Sequence, residues 1–181
     1  MPQTVGPRVL AEEKMSIVVL IDYDGPLDEI PADVIEDGLQ ASCRAVAADT
    51  RYSPTDSDTL ADPAVCEPAN SQALGASNYE GRIGLFRYPD ETDAGQHSEQ
   101  YDNVYQALKE KGTDAVVVIR DLGLRWDATF EEGQEIEAYR VSTDWPQKPQ
   151  DRSGYQKRII PTPVQDARVN SVVGVASGTA G

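Results

Sequence analysis

The sequence predicts a mainly β fold with a single clear α-helix, and two observations lead to this class. Between residues 113 and 176, four segments rich in β-branched residues are separated by turn residues, as short strands are. Over residues 98–111, apolar residues instead recur at helical spacing. The 113–176 region contains neither His nor Cys, which points to an architectural role rather than to catalysis.

The first elements are defined by apolar runs and by turn chemistry. Residues 15–21 are apolar on both faces, which predicts a central strand. Pro31 at a first helical position and Gly38 as a stop signal predict a short helix between them. The remaining predicted strands are 40–46, 78–88, 113–122, 134–141, 155–160 and 168–176.

The helix predicted over residues 98–111 has one apolar stripe. Its members fall at i, i+3, i+4 and i+7, and we expect them to pack against a sheet. Gly112 follows as a stop signal. The residues of this stripe are Tyr101, Val104, Tyr105 and Leu108.

The chain is long enough for one domain, and we expect residues 1–181 to form one. Residues 1–14 are expected to be an N-terminal arm and residues 177–181 a flexible tail. Residues 47–73 are rich in Asp, Pro, Ser and Thr and lack periodicity, so they predict a long loop.

Composition excludes several function classes. The chain has 31 acidic and 16 basic residues, a net charge of −15, which argues against tight binding of nucleic-acid phosphates. The apolar runs are too short to span a bilayer, and we expect neither a membrane association nor a secretory signal. Cys43 and Cys66 are expected to be reduced, although a single bridge between them stays open.

One segment carries an enzyme-like motif. The apolar run 17–21 leads into Asp22-Tyr-Asp24-Gly-Pro, which is similar to the first motif of haloacid-dehalogenase-type phosphatases. In that interpretation Asp22 is the nucleophile, Asp24 the general acid/base, and both help to hold Mg²⁺. The family also needs a later Lys and a second acidic pair, and Arg120-Asp121 lacks the second carboxylate. The alternative is an acidic turn after a buried strand, with no catalytic residue, cofactor or metal in the chain.

The segment 134–141 alternates acidic and apolar residues. Glu135, Glu137 and Tyr139 share one face of the predicted strand, and Ile136 and Ala138 share the other. Such a face is usually solvated, and in a closed ring it could line an acidic channel.

From residue 78 onward, the order and spacing of segments resemble the tail tube (major tail) proteins of long-tailed, siphovirus-type phages, especially those of actinobacterial hosts. Residues 31–38 and 40–43 fit the same pattern more loosely. The segments that carry the resemblance are Gly-Leu-Phe-Arg-Tyr at 84–88, Tyr-Asp-Asn-Val-Tyr-Gln-Ala-Leu at 101–108, the strand and its lead at 111–120, the acidic strand at 132–141 and Pro-Gln-Lys-Pro-Gln at 146–150.

The resemblance implies a β-sandwich with one flanking helix, six copies of which close into a ring with a continuous inner β-barrel. Stacked rings would form the tail tube of the virion, assembled in the host cytoplasm, through which DNA passes without specific binding. The implied partners are other copies of the chain, a tape-measure protein and tail-terminator or tail-tip proteins.

The resemblance also suggests roles for individual residues. Glu135 and Glu137 are candidates for an acidic lumen, which would repel DNA phosphates. The segment 47–73 would be an inter-ring contact loop that orders on assembly. Its candidate contact residues are Asp49, Arg51, Tyr52, Asp56 and Asp58.

Overall fold

The computed structural model describes residues 13–60, 73–93, 95–151 and 153–177. No helix within these ranges is long and apolar enough to cross a membrane. The strands are β1 (Ser16–Ile21), β2 (Glu29–Pro31), β3 (Leu39–Gln40), β4 (Arg51–Thr55), β5 (Thr59–Leu60), β6 (Ala73–Leu74), β7 (Asn78–Phe86), β8 (Asp114–Arg120), β9 (Glu135–Ser142), β10 (Lys157–Pro161) and β11 (Val164–Gly174). The α-helices are α1 (Ala32–Glu36) and α2 (Asn103–Leu108), and Ala47–Asp49 form a short 3-10 helix.

Most strands join one six-stranded sheet with the order β2-β11-β9-β8-β1-β3. Its pairs are antiparallel except β2 with β11, which is parallel. A second sheet has the order β10-β7-β4 and is antiparallel throughout. The short strands β5 and β6 pair with each other.

Both faces of the six-stranded sheet are buried, because its central strands carry apolar residues at successive positions. On one face Val19, Val117 and Tyr139 pack with residues of the three-stranded sheet and of α2. On the other face Val18, Val118 and Ala138 pack against α1 and Phe130. The chain is therefore a sandwich of two sheets with α2 beside them and α1 on the outer face of the larger sheet, which confirms the predicted fold class.

The predicted strands at 15–21, 78–88, 113–122 and 134–141 are confirmed within two residues at each end. The strand predicted at 168–176 begins earlier, at Val164. The strand predicted over 40–46 is wrong beyond Gln40. There Arg44 and Ala45 donate their backbone N–H groups to Ala41 O, so the chain turns instead of extending.

The predicted helix is much shorter than 98–111. It comprises only Asn103–Leu108, because the Asp102 side chain is held by neighbouring donors and the chain leaves the helix toward β8 through Gly112, at φ 84°. Val104 and Leu108 lie in the core. Tyr105 is half-buried, whereas Tyr101 precedes the helix and is 49% exposed against the ring of Tyr88.

The loop predicted over 47–73 is wrong in its first part, where β4 pairs with β7 along its whole length. Gly84 lets the 3-10 helix approach closely, since a side chain there would collide with Asp49, and Val46 N donates to Gly84 O at 2.7 Å. The polar composition and Pro54 hid this edge strand from sequence analysis. Residues 61–72, and with them Cys66, lie outside the described ranges, as do 1–12 and 178–181.

A buried ion pair fixes α2 to the end of β7. Arg87 donates from Nε and Nη2 to Asp102, each at 3.0 Å, and its guanidinium lies 3.8 Å from the centre of the Tyr105 ring. Asp102 also accepts from Tyr88 N and from Gln106 Nε2. Burial raises the pKa of Asp102, but these hydrogen bonds outweigh burial and leave its pKa below the usual value.

We predict that Asp102→Ala lowers the free energy of unfolding by about 3 kcal/mol at pH 7, because it leaves Arg87 and Tyr88 N without their acceptor. A carboxylate with a lowered pKa stabilises the fold above its unfolded pKa, and this contribution is lost as the pH falls through the folded pKa. The difference between wild type and variant should therefore shrink below about pH 4.

Urea unfolding at pH 7 and pH 3 measures both effects. Asp151→Ala is the matched control, because that exposed carboxylate accepts only from Ser153 in its own turn. A variant as stable as wild type at pH 7 would contradict the role of the pair.

Candidate assembly surfaces

The six-stranded sheet has one long open edge, on β11. This strand pairs with β9 from Val164 to Val172, but with β2 only from Val172 to Gly174. Over residues 164–171 no strand of the described ranges pairs with its other edge. Open N–H and C=O groups along an edge are a template for pairing with another chain.

Charged side chains mark this edge. The Arg168 guanidinium lies between two carboxylates, with Nε 3.0 Å from Asp28 Oδ1 and Nη1 2.7 Å from Asp166 Oδ1. Exposed charges on an edge strand discourage unspecific pairing of isolated chains. The side chains of Asp166 and Arg168 also bond the backbone of Ala167, whose N–H donates to Asp166 Oδ1 and whose O accepts from Arg168 Nη1, each at 2.9 Å, so this edge is partly capped.

The other edges are short or blocked. β2 and β3 comprise three and two residues. β4 carries Pro54, which has no N–H to donate, and Arg51 pairs with Glu80 across the sheet. On β10, Gln147 already exchanges two backbone hydrogen bonds with Ile159. β11 therefore offers the longest free edge among the described strands.

The residues predicted as inter-ring contacts separate into three environments. Asp49 pairs with Lys157 at 2.5 Å on the three-stranded sheet. Tyr52 packs 5.5 Å from the Tyr139 ring and bonds the Thr162 hydroxyl, and burial raises its pKa. The Tyr52 side chain therefore belongs to the core rather than to a free contact surface.

Asp56 and Asp58 lie in the connection between β4 and β5. The Asn78 side chain donates to Asp56 O at 3.1 Å and to Asp58 Oδ1 at 2.9 Å. Asp58 also exchanges backbone hydrogen bonds with Gly75 and Ala76. These contacts extend the β4–β7 ladder toward β5 and β6, so both acids lie on the segment that leads into the β5–β6 pair, where an inter-ring contact stays a prediction.

The predicted acidic face of β9 is not uniformly solvated. Glu135 is exposed, Glu137 is half-buried, and Tyr139 is buried between the two sheets. The Tyr139 hydroxyl donates to Glu137 Oε2 at 2.6 Å, and burial together with this carboxylate raises the pKa of Tyr139. A lumen position for Glu135 and Glu137 stays a prediction.

Comparison with known proteins agrees with this architecture. The family model for the phage tail tube protein matches residues 1–177. The chain belongs to this family. No curated protein sequence matches it.

A solved structure shares the fold. A chain of the cryo-EM structure of the anti-feeding prophage (AFP) baseplate, symmetrised six-fold, is similar with a TM-score of 0.50 and 17% identity, over 95% of this chain and 99% of that chain. At this identity the likeness shows the fold alone. The family makes this chain a structural tail protein of the virion.

The phosphatase-like motif does not build a phosphatase site in this tail tube fold. β1 lies between two antiparallel neighbours, β3 and β8, instead of the parallel strands of a doubly wound sheet. Asp22 occupies the turn after β1 at φ 55°, and Arg140 fixes that turn by donating to Tyr23 O and Gly25 O. In the described ranges no group of three or more His, Cys, Asp or Glu side chains could hold a metal ion.

Sequence analysis missed the most constrained loop of this tail tube protein, residues 121–134. It is held by Arg120, which is 1% exposed at the end of β8. Nη1 donates to Thr129 O and Gln134 Oε1, and Nη2 donates to Arg125 O and Ala128 O, at 2.7–3.1 Å. The available signal was an arginine directly after the apolar run 115–119, where a buried charge needs several partners.

The ring of Phe130 completes the environment of Arg120. Its centre lies 4.2 Å from the guanidinium carbon, and Phe130 N donates to Glu36 Oε1 of α1 at 2.6 Å. Burial lowers the pKa of Arg120, while the charge of Glu36 raises it. The loop is therefore fastened both to its own strand and to α1.

We predict that Arg120→Lys loosens the loop while the sheets stay folded. An ammonium group has one nitrogen where the guanidinium uses two, so it cannot satisfy three carbonyl groups and an amide in the same geometry. Amides of residues 125–134 should exchange with deuterium at least about tenfold faster, a loss of about 1.4 kcal/mol of local stability. Hydrogen exchange with mass spectrometry measures this, and amides of β8 and β9 serve as the internal control. Unchanged exchange in the loop would contradict the anchoring role.

Proposed function

We propose that this protein is the non-enzymatic subunit of a phage tail tube, assembling with copies of itself into hexameric rings that stack around a DNA conduit. The observation that carries the proposal is a tail tube family match over residues 1–177 on a fold whose longest sheet edge is open. We place assembly in the host cytoplasm and the finished tube in the virion, with tape-measure and tail-terminator or tail-tip proteins as further partners.

The open edge gives the ring a physical basis. In our proposal β11 of one copy adds to the β3 side of the next copy, where β3 is two residues long and Ala41 N and Ser42 Oγ bond the backbone of Ile17 on β1. Backbone hydrogen bonds would then join neighbouring six-stranded sheets into one closed barrel. Closure removes open edges, which an isolated sandwich retains.

The acidic charge suits a conduit for DNA. A net charge of −15 leaves few cations for phosphates, so DNA would slide without sticking. Both faces of the six-stranded sheet are covered, so a carboxylate on β9 reaches water most easily at the strand end. Glu135 is there and exposed, and we propose it as the stronger lumen candidate, with Glu137 beside it.

We expect negative-stain electron microscopy to show rings or hollow tubes of uniform width as protein concentration and salt increase. Salt favours assembly because it shortens the Debye length from roughly 30 Å at 0.01 M to about 8 Å at 0.15 M, which screens repulsion between acidic copies. Bovine serum albumin, a similarly acidic protein, is the control for salt-induced aggregation. A monodisperse monomer under all conditions, also with tail-assembly partners, would argue against the proposal.

The same samples test the role of the β11 edge. Amides of residues 164–170 that face away from β9 should exchange rapidly in the monomer and become protected in tubes. Amides of β8, which is paired on both sides, should be protected in both states. Equal exchange of the β11 amides in monomer and tube would remove this edge from the interface.

A phosphatase assay tests the enzyme alternative, which predicts turnover that depends on Asp22. We expect no hydrolysis of p-nitrophenyl phosphate with Mg²⁺ above that of the Asp22→Asn variant, because Asp22 and Asp24 lie in a turn without a metal-binding group. Tube formation by Asp22→Asn should equal that of wild type. Turnover that depends on Asp22 would overturn the structural assignment.

A further inference from the structure

Two surfaces of the chain present apolar groups to solvent in a way that the monomer does not explain. The first is the docking loop, residues 121–134, between β8 and β9. The second is the aromatic cleft, formed by Cys43, Phe86, Tyr88 and Tyr155 at the end of β7. Apolar groups clustered in a charged rim are typical of protein contact sites.

The docking loop displays two leucines on a hydrogen-bonded backbone. Leu122 is 62% exposed and Leu124 is 40% exposed, although Arg120 holds the loop's backbone with hydrogen bonds to three of its carbonyl groups. A loop that is ordered before binding loses little conformational entropy when it binds. Its construction therefore suits presentation of Leu122 and Leu124 to a partner.

The surroundings of these leucines are acidic. Asp121, Glu131 and Glu132 are exposed. The loop's one basic residue, Arg125, already lies 3.4 Å from Asp127. The docking loop therefore carries a net negative charge, with Asp121 directly before Leu122.

The aromatic cleft has a size that suits such side chains. It is an open depression of about 580 Å³. Its wall includes the Phe86 and Tyr155 rings, which contact edge to face with centres 5.8 Å apart. Tyr155 is 84% exposed, so one side of this aromatic pair remains uncovered.

The rim of the cleft is basic in an acidic protein. Of the described residues 147–151 and 153–158, three are basic and one is acidic, and one of the three, Lys157, already pairs with Asp49. Lys148 and Arg158 line the adjoining depression, which shares Tyr155 with the cleft, and neither forms an ion pair within the described residues. The one acid, Asp151, accepts hydrogen bonds from the backbone N–H and the hydroxyl of Ser153. The cleft therefore offers apolar surface and positive charge where the docking loop offers leucines and negative charge.

Within one copy, the docking loop and the aromatic cleft are not in contact with each other. The docking loop leans on the α1 side of the six-stranded sheet through Phe130, whereas β7 and the cleft lie on the opposite side. We propose that the docking loop of one copy inserts Leu122 and Leu124 into the aromatic cleft of a second copy, with its acids facing Lys148 and Arg158. The proposal rests on the self-assembling function above and names the contact between copies.

Such a contact is heterologous, because it joins two different surfaces. It leaves a free loop at one end of every pair and a free cleft at the other, so it propagates into a closed ring or a stack. A symmetric dimer would instead consume both surfaces at once. This distinction makes the contact testable by counting cross-linked copies.

Cys43 lines the cleft and serves as a built-in probe. In a Cys66→Ser background, Leu122→Cys and Leu124→Cys are introduced separately, and the assembled protein is oxidised with copper phenanthroline. We expect at least one of them to give a ladder of disulfide-linked oligomers on non-reducing gels. Controls are the same variants with Cys43→Ser, and Asp37→Cys, an exposed position beyond α1 that lies outside the docking loop.

The possible results separate the contact from the wider function. Tubes with a ladder support both, and a ladder that ends at the copy number of one ring places the contact within the ring. Tubes in electron micrographs without any ladder overturn the contact and leave the tail tube function intact. A ladder without rings or tubes supports the contact and overturns the tube, and a monomer without a ladder overturns both.

A second variant tests the energetics without cysteines. Leu122→Asn with Leu124→Asn changes neither the charge nor the number of non-hydrogen side-chain atoms, and both positions are exposed, so folding should be unaffected. We expect the protein concentration needed for assembly to rise at least about tenfold, which corresponds to about 1.4 kcal/mol. Circular dichroism confirms folding, and an unchanged assembly threshold would overturn the proposal.

Discussion

The six-stranded sheet is apolar on both faces, and the rest of the structure depends on this constraint. Val18 and Val19 are neighbours on β1, yet both are at most 2% exposed, because one faces α1 and the other faces the second sheet. A sheet covered on both sides has no free face for a ligand. Contacts with other molecules must therefore come from strand edges, from connecting loops and from the β5–β6 pair.

The distribution of charge follows the same separation between the buried sheet and the surfaces that are free for contacts. The chain carries a net charge of −15, but Lys148 and Arg158 lie beside the aromatic cleft, and Arg87 and Arg120 are used inside the fold. Long-range repulsion keeps free copies apart, whereas local complementarity acts only when two copies are correctly oriented. An acidic subunit can thus be soluble alone and still assemble specifically.

Sequence analysis predicted the fold class and the central strands, because β1 and β8 are continuous apolar runs whose burial dominates any local preference. It failed where tertiary contacts, rather than the local sequence, determine the secondary structure. Residues 51–55 form a strand because β7 pairs with them along their whole length, and the helix near Tyr101 was shortened because Arg87 binds Asp102. The docking loop and aromatic cleft could not be found in this way, since each joins residues that are distant in sequence, such as Cys43 and Tyr155.

Arg120 connects the buried six-stranded sheet to a surface loop. Burying a guanidinium is costly, and replacement by an apolar side chain of similar volume often leaves a core equally stable. The charge here instead holds three carbonyl groups that lie outside any ladder, so its effect is to fix a surface loop rather than to strengthen the core. A rigid loop with exposed leucines gains nothing in the free monomer. It is advantageous only where the same backbone shape must be recognised repeatedly, as in an assembly of many identical subunits.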